Sequence, residues 1–161
     1  MSEISSPMPG ESILLEPFIL ATRTALGEMA GIQPVVQRIH RAQPDYGPDQ
    51  ISAVLELTST CDARLFVSFS KRTARAFAER MLAGYSNELQ DSLVHDCMAE
   101  IANVIGGQAK ALLAGTPRQF LYSLPRVIVG HNEDDSSKQQ LDFLTVDFDT
   151  ELGAFSIRMS V

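Results

Sequence analysis

At 161 residues, 45% hydrophobic and with a net charge of −7, the chain is long enough for one domain with a sizeable core. An acidic balance without a Lys/Arg cluster excludes nucleic acid and anionic membrane surfaces as principal partners, because both need a basic face. No apolar run reaches membrane-spanning length, and no cationic segment precedes an apolar one, so no secretory leader is expected.

Residues 1–10, MSEISSPMPG, read as a flexible Ser/Pro-rich lead-in, with 11–161 as a single domain. The spacing of Ile13, Leu14, Phe18, Leu20, Leu26 and Met29 predicts a helix from Glu11, or from near Pro17, to Gly31. The period then changes. PVVQRIHRAQ, ISAVLELT and ARLFVSFS alternate as three antiparallel strands, with turn-rich PDYGPD after the first. Ser70 is a suitable N-cap for a helix over 71–83, closed by Gly84. A long helix over Asp91–Gly115 follows. FLYSLPRVIV, LDFLTVDFD and GAFSIRMSV are three more strands. Pro125 inside the first marks an edge, a bulge or a strand start. HNEDDSSKQQ is a polar hairpin loop, and Glu133-Asp134-Asp135 its solvated tip.

The expected fold is therefore α+β: a two-layer sandwich of one antiparallel sheet with long helices on one face, in two similar helix-plus-three-strand halves. The cysteines, Cys61 and Cys97, lie in apolar-patterned segments as free thiols do in a reducing cytoplasm. His40, His95 and His131 are scattered without metal-ligand spacing, so no metal site is expected. The sequence carries no phosphate-binding glycine loop, dinucleotide fingerprint or nucleophile elbow.

The helix DSLVHDCMAEIANVIGGQAKALLAG is the informative element. At about 100° per residue, Asp96, Glu100, Asn103 and Gly107 fall within about 60° of one another. Leu93, Cys97, Ile101, Val104, Ile105 and Leu112 form an apolar face; Ala99, Ala102 and Gly106 form a side of small residues. Asn is a poor helix former, and two interior glycines cost about 1 kcal/mol each relative to Ala. Asn103 is either an exposed, tolerated residue beside glycines that let a neighbour pack, or part of a strip facing a partner. Asp96 is likewise either a solvated carboxylate or part of that strip. A carboxamide has no useful pKa for proton transfer, but it can orient a water, and positioning with electrostatics is most of phosphoryl-transfer catalysis. A carboxylate there belongs on a partner's cation, since it would repel a phosphate.

Asp96, Glu100, Asn103 and Pro125 stand in a known order: Asp or Ser, Glu four positions on, Asn three further, and Pro 22 positions after the Asn. With EIANVIGGQAKALL, SLPRVIVG and the opening helix EPFILATRTALGEMAG, the chain resembles the CheC/CheX/FliY chemotaxis phosphatases over nearly its whole domain. CheC-type chains carry the motif twice. Here the first helix offers Thr24, Glu28 and then Gly31 where Asn would stand, so the resemblance is to CheX, with one functional site.

The resemblance implies a phosphatase for the aspartyl-phosphate of a CheY-like response regulator. Glu100 would pair with a regulator lysine and Asn103 would orient the attacking water. Asp96, Gly106 and Gly107 would lie against the partner, with Gly106 and Gly107 permitting close approach. It implies no cofactor on this chain, Mg²⁺ held by the regulator, and a homodimer made by joining sheets. The same fold also serves flagellar-switch proteins that only assemble, so a non-catalytic binding module is the alternative.

Overall fold

Helix α1 spans Pro9–Ala30, and Pro17 lies inside it. The helix therefore starts ahead of both expected positions, and Pro9 and Gly10 belong to it rather than to the lead-in. An interior proline removes one helical hydrogen bond and costs roughly 3 kcal/mol. Leu15 and Phe18, on either side of it, are buried. Each buried side chain of this size contributes roughly 1.5–3 kcal/mol, so packing offsets the local penalty. The computed structural model describes residues 9–42, 47–60, 62–85, 87–130 and 143–160. The lead-in 1–8, Cys61, the 131–140 loop with His131 and its acidic tip, and part of the turn after the first strand lie outside them.

The strands are β1 (Val35–Ala42), β2 (Gln50–Thr58) and β3 (Ala63–Ser70) before helices α2 (Lys71–Met81) and α3 (Asp91–Leu113). β4 (Leu121–Tyr122), β5 (Arg126–Val129), β6 (Phe143–Asp149) and β7 (Phe155–Ser160) follow. The one strand expected from FLYSLPRVIV is thus two. All seven join one antiparallel sheet in the order β1-β6-β7-β3-β2-β4, with β5 also on β2. Exchanging β1 with β4/β5, β2 with β6 and β3 with β7 maps this order onto itself, in keeping with two related halves.

Alternation along the strands sends one set of side chains to the helices and the other away. Ile51, Ala53, Leu55 and Leu57 of β2, Leu65, Val67 and Phe69 of β3, and Phe155, Ile157 and Met159 of β7 share the main core with all three helices. Phe69, Phe155 and Phe148 stack at centroid distances of 5.1 and 5.0 Å across its centre. Among the described residues, the far face carries a small apolar cluster, Val54, Phe66, Ile128 and Phe143. Beside it, Asp147 accepts hydrogen bonds from Arg38 and from Nε2 of His40. The helices therefore lie on one side of the sheet, as expected.

Two caps match their sequence signals. Ser70 Oγ accepts from the Thr73 amide at 3.1 Å and starts α2. Gly31, at φ +65°, ends α1, where the Gly31 and Ile32 amides donate to the Gly27 and Leu26 carbonyls.

Candidate functional site

α1 packs along α3, α2 lies against it, and β2 and β5 lie beneath it. Its buried residues are Val94, Cys97, Met98, Ile101, Ala102, Ile105, Gly106, Ala109 and Leu113. The expected apolar face is rotated accordingly. Leu93 and Val104 are only half-buried and Leu112 is 45% exposed, whereas Met98 and the small-residue side, Ala102 and Gly106, enter the core. Small residues let α3 approach the sheet closely.

The polar strip remains open. Asp96 and Glu100 are exposed; Asn103 and Gly107 are half-buried. Among the described residues, the Glu100 carboxylate forms no ion pair, and the Asn103 carboxamide forms no side-chain hydrogen bond. Both groups keep their full bonding capacity for a partner. Burial raises the Cys97 thiol pKa, and the neighbouring Asp96 charge adds to the rise. Cys97 points into the core, away from the strip.

The two glycines have different surroundings. Gly106 is buried, and a Cβ there would stand 2.7 Å from Leu55 Cδ1 and 3.2 Å from Tyr122 Cδ2. The close approach at Gly106 is thus made by this chain's own side chains; the expectation that it faces a partner is corrected. A Cβ on Gly107 would meet only the Tyr122 hydroxyl, at 3.2 Å. Gly107 stays on the strip.

Pro125 sits where β4 gives way to β5. Leu57 pairs with Tyr122 and Val54 with Arg126, so two residues of β2 lie opposite three residues between β4 and β5. One residue is extra, which makes a bulge. Ser123 keeps the ladder on one side, donating from its amide to the Glu56 carbonyl and accepting the Glu56 amide on Oγ. Proline suits the break because it has no amide to satisfy. Leu124, just before it, is 88% exposed.

The first-half copy of the motif differs in structure as well as in sequence. Thr24 and Glu28 lie on α1, but Gly31, at the place of Asn103, falls after the helix end. That position has neither a carboxamide nor a helical platform.

Among the described residues, no three His, Cys, Asp or Glu side chains group closely enough to hold a metal ion. No described helix is long and apolar enough to cross a membrane.

An antiparallel sheet with long helices on one face is the architecture of the CheC-like fold. The family model for chemotaxis phosphatase CheX matches residues 51–149, which include α3 and Pro125, and the chain belongs to that family. No curated protein matches the sequence. Among solved structures, the chemotaxis protein CheX from Desulfovibrio desulfuricans is 26% identical with a TM-score of 0.74, covering 91% of this chain and 97% of that one. CheX from Vibrio vulnificus shares the fold at 20% identity and a TM-score of 0.74, over 92% of this chain and 98% of that one. A chain of the CheX–CheY–BeF3–Mg²⁺ complex from Borrelia burgdorferi does so at 18% and 0.71, over 91% and 96%.

Proposed function

We propose that this protein dephosphorylates the aspartyl-phosphate of a CheY-like response regulator, with the α3 strip as its working surface. The observation that carries this reading is that Glu100 and Asn103 are both accessible, one helical turn apart, and without bonding partners among the described residues.

Glu100 docks on a cation of the regulator, for which a lysine is suited. Asn103 reaches the phosphorylated pocket, where its carbonyl accepts from a water and its amide group donates. A water held in line with the phosphorus needs little further help, because the transition state is governed by position and charge. The Mg²⁺ that offsets phosphoryl charge is the regulator's own. Asp96 extends the acidic end of the strip, and Gly107 keeps it low. The homodimer is part of the same proposal. The sheet has two edges, β1 and β4/β5, and β1 is the longer.

Phosphate release from a phosphorylated regulator tests the reading. Asn103→Ala is expected to keep binding and lose acceleration by about a hundredfold or more. Glu100→Ala is expected to weaken binding about threefold or more. Full activity in Asn103→Ala would remove the catalytic assignment. Binding by the native chain without acceleration would leave the non-catalytic module.

A further inference from the structure

Neither glycine of α3 is fully explained by a visiting partner, because both face Tyr122. The ring lies against Gly106 at 3.2–3.3 Å from where a Cβ would be, and the hydroxyl ends 3.2 Å from the corresponding point on Gly107. Around the helix axis, Asn103 and Lys110 lie within about 20° of each other and about 10 Å apart along it, with Gly106 and Gly107 bracketing the interval. Lys110 Nζ stands 5.9 Å from the Tyr122 ring centroid. Tyr122 therefore fills the gap in the strip between Asn103 and Lys110. It does so from another element, the edge strand β4.

Its hydroxyl has no hydrogen-bond partner among the described residues. The ring is half-buried, packed beside Phe120 at a centroid distance of 6.4 Å, so it is held in place. A phenol held this way is a preorganised donor and acceptor. Being neutral, it suits the neighbourhood of a phosphoryl anion better than a carboxylate does. Gly107 lies about 6 Å beyond Asn103 along the helix. When the Asn103 amide is in the phosphorylated pocket, the phenol meets the protein around that pocket rather than the phosphorus.

We infer that the Tyr122 hydroxyl hydrogen-bonds the docked response regulator at the rim of its phosphoaspartyl pocket, making Tyr122 a specificity-determining residue; this rests on the phosphatase reading above. Gly107 leaves room for the hydroxyl, and Gly106 accommodates the ring beside Leu55. Glu100 and Tyr122 then grip the regulator on either side of Asn103.

The test is the affinity of a CheY-like regulator, activated with beryllofluoride and Mg²⁺, for the native protein, Tyr122→Phe and Asn103→Ala, with thermal midpoints measured in parallel. Tyr122→Phe keeps the ring and is expected to fold with an unchanged midpoint and bind roughly three- to tenfold more weakly, the range of one uncharged hydrogen bond. Unchanged affinity would overturn the inference. Weaker binding with a lowered midpoint would assign the hydroxyl to the fold and overturn it too. In a parallel phosphate-release assay with the phosphorylated regulator, binding by the native protein without acceleration would remove the phosphatase reading alone, and the Tyr122→Phe affinity would still decide the inference. Absence of binding by the native protein would overturn both.

Discussion

Gly106 of α3 lies directly against Leu55 of β2: a Cβ on Gly106 would stand 2.7 Å from Leu55 Cδ1. Leu55 is fully buried, so any shift of its side chain must be taken up by the core around it. Gly106→Ala gains about 1 kcal/mol of helix propensity but overpacks the core, at a cost of about 1–3 kcal/mol. The expected outcome is a net loss of up to about 2 kcal/mol, read as a lower urea midpoint. A more stable variant would show that the sheet relaxes freely under α3.

Asn103→Asp changes the charge of the strip with little change in shape. The proposed mechanism places that atom group beside a phosphoryl anion, so the new carboxylate repels it. Dephosphorylation is expected to fall at least as far as in Asn103→Ala, about a hundredfold. Retained activity would show that Asn103 stays outside the phosphorylated pocket.

Glu100 is exposed, so its pairing with a regulator cation is open to screening. The Debye length falls from about 10 Å at 0.1 M salt to about 3 Å at 1 M. KM for the phosphorylated regulator is expected to rise with salt in the native protein and to respond less in Glu100→Gln. Parallel salt curves for the two proteins would rule out this ion pair.

Burial raises the pKa of the Cys97 thiol, and the charge of Asp96 adds to the rise. In the unfolded chain a thiol titrates at roughly 8.5. The contribution of Cys97 to stability is therefore complete below that pH and is lost as pH climbs through it toward the higher native value. Cys97→Ala should lose less stability than the native protein between about pH 7 and about pH 10. Equal losses in urea denaturation would place the alkaline sensitivity elsewhere.

Ser70 starts α2 by accepting the Thr73 amide, and its own hydroxyl donates to Thr73 Oγ1 at 3.0 Å. Ser70→Ala is expected to destabilise the protein by about 1 kcal/mol. Ser70 makes its cap bonds to Thr73 and none to Glu100 or Asn103, so the kcat for regulator dephosphorylation should not change. A fall in kcat without a fall in stability would tie α2 to the site.

The sequence by itself determined what depends on spacing along the chain. Period-two alternation marks β2, β3, β6 and β7 and the faces they bury. The 3.6-residue period brings Asp96, Glu100, Asn103 and Gly107 onto one side of α3, because helix geometry sets which residues share a side. Ser70 and Gly31 announce their caps through bonds to residues a few positions away. Only the tertiary structure decided what packs against those faces. α1 continues through Pro17 because buried Leu15 and Phe18 outweigh a local penalty. Leu112 belongs by period to the apolar side yet is 45% exposed near the end of α3. Pro125 was legible as an edge, a bulge or a strand start, and the register with β2 selected the bulge. Tyr122 carried no signal of its own. It enters the site because β4 pairs with the end of β2 and so brings an aromatic ring to the glycines of α3. Such a contact joins residues distant in sequence, and no local period records it.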